Sequence, residues 1–453
     1  MRNKTNTCTG IICLQNTDNQ KNKKGSYPQF FFLLFPRKED ILPPLFSTRK
    51  NLYFFFQKNT EKPTAEREIF ANFAFVLYSK NFMNGELRVI ISGGGTGGHI
   101  FPAVSIANAI REKRPDAQIL FVGAEGRMEM QRVPAAGYEI KGLPVAGFNR
   151  KQLWKNIAVL MKLYKSRKLA KKIIKDFHPM VAVGVGGYAS GPTLNMAQKM
   201  GIPTLLQEQN SYAGVTNKLL AKGARRICVA YEGMERFFPA ENIILTGNPV
   251  RQNLIGSKIP QNEALEKLGM EKDKRTVLIV GGSLGARALN ESVLSKLSLI
   301  RQQKNIQFIW QTGKFYSEEI HRKLEEKKQP DNLYVTDFIS DMNVAYSAAN
   351  LVVSRAGAGS ISEFCLLGKP VILVPSPNVA EDHQTKNAMA LVQKDAALYT
   401  TDAEAQDTLL PMAINTVTDD QILTKLSQNI LALAHPNAAS DIAEEVIRLA
   451  QQG

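Results

Sequence analysis

Apolar positions in this 453-residue chain come in short continuous runs rather than in long alternations. The runs at 88–92, 119–122, 181–185, 204–206 and 227–229 are each closed by glycine, proline or a polar cluster. Uninterrupted apolar strands of this length belong to parallel sheets covered on both faces. Gly247-Asn248-Pro249 ends the series, and a second follows at 277–280, 306–310, 333–335, 351–353 and 371–374. Stretches with apolar residues at helical spacing lie between the runs, the first predicted from about Pro102 to Lys113. The pattern predicts two doubly wound α/β domains, 83–247 and 248–453, each opening with a strand, a glycine-rich turn and a helix. An amphipathic helix near 440–450 closes the chain and can cross back to the first domain.

The first turn, Gly93-Gly94-Gly95-Thr96-Gly97-Gly98, satisfies GxGxxG between a strand and a helix. Glycines let the backbone approach a phosphate or sugar, and the helix start offers free N–H groups and a positive dipole end. A dinucleotide site and a ligand-free tight turn are the alternatives. The dinucleotide needs an acid closing the second strand, for which Glu125 is poorly placed, and five glycines in six residues exceed what a pyrophosphate requires. No GxxxxGK[ST] occurs, which excludes a P-loop. His99 follows at once, with no flanking side chains to bury it. The dipole disfavours its protonated form, which suits a general base near neutral pH; an exposed polar residue is the plainer reading.

In the second half, Arg355-Ala356-Gly357-Ala358-Gly359-Ser360-Ile361-Ser362-Glu363 follows the run at 351–353. Small residues open this helix to a phosphate. Glu363, one turn in, can reach paired ribose hydroxyls or simply be an acid favoured by the dipole. Glu381-Asp382-His383-Gln384 opens the next helix. These loops gather at carboxyl ends of strands, where open α/β sheets bind ligands. No DxD motif occurs and the histidines are far apart, so no catalytic metal is expected.

Composition narrows the partners. With 44% hydrophobic and 22% charged residues, the chain is not disordered, collagen-like or a polytopic membrane protein. Its 57 basic and 41 acidic residues give +16, which suits nucleic acid or an anionic membrane. Residues 1–82 hold 13 Lys/Arg against 6 Asp/Glu and 12 of the 22 phenylalanines, without a persistent helical or strand period. The apolar run at 30–35 falls far short of the ~20 residues of a spanning helix, and no small-residue cleavage site follows. Residues 1–82 are therefore expected to be a disordered or non-native extension, with the working protein starting at Met83; a membrane-touching Phe/Lys arm is the alternative.

Most of the remaining charge lies in one segment. Residues 150–178 carry ten basic residues and one acid, and the rest of 83–453 is neutral. Trp154, Ile157, Leu160, Met161 and Tyr164 interleave there with Lys165 and Lys168. This patch predicts peripheral attachment to an anionic membrane, a solvated lysine face on a packed helix being the plainer reading. No base-reading motif accompanies it, so nucleic acid is not expected as a partner. Cys8, Cys13, Cys228 and Cys365 are scattered without a CxxC, consistent with a reducing compartment.

Seven motifs occur in order: 93–99 with Phe101-Pro102, Gly186-Gly187-Tyr188-Ala189-Ser190-Gly191-Pro192, Glu208-Gln209-Asn210, Ala213-Gly214-Val215-Thr216-Asn217-Lys218, Gly247-Asn248-Pro249-Val250-Arg251, 281–287 and 354–363. Together they resemble the MurG family of N-acetylglucosaminyltransferases, which convert lipid I to lipid II in bacterial peptidoglycan synthesis. The resemblance runs from about Leu87 to Gly453. It implies a GT-B fold, two Rossmann-like doubly wound domains with an interdomain cleft. The first domain would bind the undecaprenyl-linked acceptor and the membrane, and the second UDP-N-acetylglucosamine. The implied reaction is an inverting, metal-independent and cofactor-free transfer of N-acetylglucosamine to the C4 hydroxyl of MurNAc. It would take place peripherally on the cytoplasmic face of the bacterial plasma membrane and serve cell-wall biogenesis, cell shape and division.

By the same resemblance, His99 would be the base, and Thr96, Gly97 and Gly98 would lie at the donor sugar and diphosphate. Asn210 would contact the sugar, and Arg251 and Ser283 would hold the diphosphate. Ile339 would meet uracil through its backbone, and Ala358, Gly359, Ser360, Ile361, Ser362 and Glu363 would bind phosphate and ribose. Gln384 would bond sugar hydroxyls, and Tyr188 and Asn217 are acceptor-side candidates. Two positions depart from the family: Gln207 replaces a histidine common before Glu-Gln-Asn, removing any acid–base role there, and His383 stands where Gln is common. A different GT-B enzyme, such as a sugar-nucleotide epimerase or glycolipid transferase, is a rival that the motifs at 93–99 and 186–192 argue against. A non-catalytic scaffold is the second.

Overall fold

The computed structural model describes residues 11–14, 31–34, 86–145, 156–250, 254 and 259–452. The chain forms two units, 1–85 and 86–453. In the first, β1 (Ile11–Leu14) pairs antiparallel with β2 (Phe31–Leu34), Leu14 opposite Phe31. Strand structure thus exists in a region whose sequence shows no sustained period.

The second unit contains two parallel sheets. β3 (Arg88–Ser92), β4 (Gln118–Ala124), β5 (Glu139–Leu143), β6 (Val181–Gly184), β7 (Thr204–Glu208), β8 (Arg226–Val229) and β9 (Ile243–Leu245) lie in the order β5-β4-β3-β6-β7-β8-β9. β10 (Arg275–Val280), β11 (Ile306–Gln311), β12 (Leu333–Thr336), β13 (Leu351–Ser354), β14 (Val371–Leu373) and β15 (Leu398–Tyr399) follow the order β12-β11-β10-β13-β14-β15. Each sheet reverses direction beside its first strand, which opens a crevice at the carboxyl ends of β3 and β10. The inner strands are buried on both faces: Val89, Ile90 and Ile91 of β3 and Val277, Leu278 and Ile279 of β10 are almost wholly removed from solvent.

β5, β9 and β15 were not expected from the sequence. β5 is a half-exposed edge strand that alternates polar and apolar residues, and β9 and β15 span only three and two residues. A search for continuous apolar runs passes over such edges. The first helix also starts earlier than predicted, at Gly97, and runs to Lys113 with Pro102 inside it. The Thr96 carbonyl accepts from the His99 and Ile100 N–H groups at 3.1 and 3.2 Å, which carries the helix back through Gly97 and Gly98 despite their poor propensity.

The last helix, Ala438–Ala450, leaves the second domain and packs on the helix Gly97–Lys113. Ile442, Ala443, Val446 and Leu449 enter the core that contains Ile106, Ile110 and Val89 and Ile91 of β3. Burying an aliphatic side chain of this size contributes about 1.5–3 kcal/mol. Among the described residues no helix is long and apolar enough to cross a membrane.

Candidate active site

The turn after β3 and the turn after β6 interlock. A Cβ on Gly187, whose φ is +87°, would lie 2.3 Å from the Gly94 carbonyl oxygen. A Cβ on Gly94 would fall on the Glu129 carboxylate. Glycine is therefore required here by close approach of backbone and buried carboxylate, whether or not a ligand comes near. Glu129 opens the helix Glu129–Ala135 and is fully buried. Its Oε2 accepts from the Gly95 N–H at 2.9 Å and its Oε1 from the Ala124 N–H at 3.0 Å. The sequence reading did not single it out, because an acid in a first helical turn already has an ordinary explanation.

His99 sits in the first turn of its helix, half-buried. Its Nδ1 lies 3.0 Å from the Gly94 carbonyl and 3.3 Å from the Thr96 hydroxyl. Its ring edge lies beside Gly186, where a Cβ would stand 2.9 Å from Nε2. Burial lowers its pKa, partly opposed by the Gly94 carbonyl and the charges of Glu208 and Glu129, while His383 reinforces the lowering. Thr96 and Gly98 are exposed and Gly97 is half-exposed at the helix mouth. Tyr188, just after the second turn, is 56% exposed.

The Glu208-Gln209-Asn210 segment begins with the last residue of β7, at the same edge. Glu208 accepts from the Asn210 N–H at 3.1 Å, the Gly214 N–H at 3.0 Å and the Asn217 amide at 2.9 Å. Asn217 was expected on the acceptor side. Its side chain is buried; the NH₂ donates to Glu208 and the Gln207 carbonyl and braces the loop, while the Oδ1 has no hydrogen-bond partner. Asn210 is likewise engaged on both sides, donating to Glu208 at 3.2 Å and accepting from Asn387 at 3.1 Å. Gln207 is fully buried and donates to Asn248 at 2.9 Å while accepting from Gln209. Its amide therefore has a structural place where a titratable ring would stand.

Two further polar links lie where the domains meet. Asn387 accepts from the Ser211 N–H at 2.9 Å, and Asn248 donates to the Ser362 hydroxyl at 3.1 Å. Asn387 is 1% exposed and lies midway along the helix His383–Val392, where nothing in the sequence marked it. Asn387→Ala would leave the Ser211 N–H without its partner, at a cost of about 1–3 kcal/mol. The check is a lowered urea midpoint together with faster amide exchange at Ser211.

In the second domain, the turn after β10 packs on Gly313. A Cβ on Gly285 would lie 2.1 Å from the Thr312 carbonyl oxygen. Ser283 and Leu284 at the tip of this turn are exposed. Arg251 lies outside the described residues. The Ile339 N–H donates to Gln311 at 2.9 Å. The helix Ala358–Leu367 begins after Gly357 with no side-chain cap, so its first N–H groups are available to an anion. Ala358, Gly359 and Ser360 are half-exposed there, and Ile361 is buried. Ser362 donates to the Ala358 carbonyl at 3.0 Å. Glu363 is 8% exposed and accepts from the Tyr346 hydroxyl at 2.9 Å. Gln384 accepts from the Ser376 N–H at 2.8 Å, which orients its NH₂ group.

A cavity of about 550 Å³ at this edge gathers Gly281, Gly285, Arg287, Arg355, Ser376 and Gln384. The loop entering the helix of His383 is strained: Glu381 and Asp382 both have φ of +54°. The His383 Nδ1 is buried without a hydrogen-bond partner, and burial lowers its pKa. Among the described residues, no group of three or more His, Cys, Asp or Glu is gathered for a metal ion.

On the helix Asn156–Phe177, Ser166, Ala170 and Ile174 face the domain. Leu160, Met161 and Tyr164 are 55%, 58% and 73% exposed. Lys165, Lys168, Lys171, Lys172 and Lys175 are exposed with them. Trp154 and the Ile157 side chain lie outside the described residues.

Known proteins share this architecture. Residues 89–229 match the glycosyltransferase family 28 N-terminal domain and residues 276–446 its C-terminal domain. A protein of Bacteroides fragilis is 66% identical over 374 residues, covering 83% of this chain and 98% of its own length. One of Porphyromonas gingivalis is 55% identical over 369 residues, covering 81% and 97%. Both bear the name UDP-N-acetylglucosamine–N-acetylmuramyl-(pentapeptide) pyrophosphoryl-undecaprenol N-acetylglucosamine transferase. The crystal structure of Acinetobacter baumannii MurG matches with a TM-score of 0.65 at 29% identity, covering 80% of this chain and 99% of that one. A UDP-GlcNAc 2-epimerase from Neisseria meningitidis, bound to UDP-GlcNAc, matches at 0.55 and 15% identity, a likeness of fold alone.

Proposed function

This chain belongs to glycosyltransferase family 28, and from that premise we propose how its cleft performs the transfer named for its relatives. It is a GT-B enzyme that moves N-acetylglucosamine from UDP-N-acetylglucosamine to the C4 hydroxyl of MurNAc in the undecaprenyl-linked acceptor lipid I. The product is lipid II, the anomeric configuration is inverted, and the reaction serves peptidoglycan synthesis.

In our reading the first domain receives the acceptor and the second the donor. The observation that carries it is His99, held at Nδ1 by a carbonyl and placed at the carboxyl edge of β3. A carbonyl only accepts, so Nδ1 carries the proton and Nε2 keeps its lone pair. Nε2 takes the proton of the acceptor hydroxyl as that oxygen attacks the anomeric carbon. The C–O bond to UDP breaks on the opposite face, and the departing diphosphate gains negative charge. The free N–H groups that open the helix Ala358–Leu367 stabilise that charge, assisted by Ser283 and Arg251. Glu363, oriented by Tyr346, bonds the ribose, and the NH₂ of Gln384 bonds sugar hydroxyls. Thr96, Gly97 and Gly98 border the sugar, and Asn210 reaches it by releasing Asn387 or Glu208. Tyr188 flanks the acceptor. The direct test is transfer of labelled N-acetylglucosamine to a lipid I analogue by a chain starting at Met83; no transfer overturns the assignment.

We assign Leu160, Met161, Tyr164, Lys165 and Lys168 to peripheral attachment at the cytoplasmic leaflet. Exposed apolar side chains beside a lysine row support it, since water favours the lysines but not the leucine and methionine. Lysines near an anionic leaflet contribute about 1 kcal/mol each. Replacing Lys165, Lys168 and Lys172 with Gln is therefore expected to weaken partition to phosphatidylglycerol vesicles roughly a hundredfold, measured by co-sedimentation at low salt. Transfer to a soluble, short-chain acceptor should stay near wild type.

A further inference from the structure

One peptide unit joins Glu129 to His99. The N–H of Gly95 and the C=O of Gly94 belong to the same planar trans peptide, so they point in opposite directions. The N–H meets Glu129 Oε2 at 2.9 Å, and the C=O meets His99 Nδ1 at 3.0 Å. Glu129 also holds the Ala124 N–H at 3.0 Å, which ties its carboxylate to the end of β4. It is fully buried.

We propose that Glu129 is a positioning residue for the transfer, acting through the Gly94–Gly95 peptide to keep His99 in the Nδ1–H tautomer with Nε2 as the base. This rests on the reading of His99 as the base. The carboxylate fixes the peptide plane and therefore where the Gly94 oxygen points. It also polarises that peptide, making the oxygen a better acceptor for Nδ1–H and the ring more basic. The effect opposes the desolvation that lowers the affinity of His99 for a proton. The other groups acting on the ring are Glu208, which favours its charged form, His383, which disfavours it, and the Thr96 hydroxyl at 3.3 Å. The hydroxyl can donate or accept and so cannot select a tautomer; the carbonyl can.

Glu129→Gln tests the proposal. Its amide offers one oxygen for two N–H groups, and its NH₂ faces one of them. The ring nitrogens of His99 are followed by ¹⁵N NMR, with His99→Ala assigning the signal among five histidines. The wild type is expected to show the Nδ1–H tautomer. In Glu129→Gln the tautomers mix, the pKa of His99 falls, and the acidic limb of kcat/KM moves to lower pH with it. kcat drops tenfold or more while KM for UDP-N-acetylglucosamine changes less than twofold, and Glu129→Asp, which keeps the charge, recovers part of the limb position. An unchanged tautomer and limb in folded Glu129→Gln overturn the proposal. So does an Nε2–H tautomer in the wild type, which needs no variant to fold. If His99→Ala instead keeps its turnover, the reading of His99 as base fails, and the NMR result still reports whether Glu129 sets the ring.

Discussion

His99→Ala lowers turnover by ~10²–10⁴-fold, the usual contribution of a positioned general base, equivalent to about 3–5 kcal/mol of barrier. Donor affinity stays close to wild type, because the donor contacts assigned here lie mainly in the second domain and His99 lies at the edge of β3. The loss falls on kcat rather than on KM, as expected for an interaction made only as the proton transfers. The pH profile carries a sign. Burial lowers the His99 pKa below its usual 6.5, and the base works in its neutral form. The acidic limb of the wild-type profile therefore lies below pH 6.5, and at neutral pH the base is already unprotonated. Single-turnover rates across pH 5–8 measure both quantities. A limb above 6.5, or near-normal turnover in His99→Ala, contradicts the assignment.

Gly187→Ala disrupts both the fold of the first domain and its catalysis. The new Cβ would meet the Gly94 oxygen at 2.3 Å and its nitrogen at 3.0 Å, both backbone atoms that cannot rotate away. The backbone at Gly187 is also left-handed, with φ of +87°, which costs an alanine about 1–2 kcal/mol. Overpacking adds about 1–3 kcal/mol, so a loss of about 2–5 kcal/mol is expected. Gly201→Ala separates the two terms. It shares the left-handed backbone, at φ of +77°, but has open space around its Cβ. Urea denaturation of both variants should show Gly187→Ala losing at least 1 kcal/mol more. Equal losses would mean that the two turns do not interlock. Because the collision pushes Gly94 and its carbonyl supports His99, turnover should fall further in Gly187→Ala than stability alone explains.

The inner strands and both glycine turns were legible in the sequence because burial on two faces leaves a continuous apolar run and a tight turn leaves glycines. The edges β5 and β15 were not, since half-exposed or two-residue strands carry no such signature. The candidate site was legible where residues must be small or chemically reactive, as at His99 and the start of the helix Ala358–Leu367. It was not legible where an ordinary polar residue gains its role from a distant partner. Glu129 reaches back 34 positions to Gly95, and Asn387 reaches 176 to Ser211. Asn217 was singled out by its motif, but its bond to the Glu208 carboxylate, nine positions back, was not legible.

The return of the helix Ala438–Ala450 to the first domain has a consequence for synthesis. The core around Ile106 and Ile110 is completed by Ile442, Val446 and Leu449, which are synthesised some 330 positions after it. At ~5–20 residues per second, the first domain waits about 10–40 s between emergence of its own strands and arrival of its final packing face. Through that interval an apolar face of the helix Gly97–Lys113 stands uncovered on the nascent chain. The two domains therefore cannot mature one after the other: the core of the first becomes complete only when the second has been made.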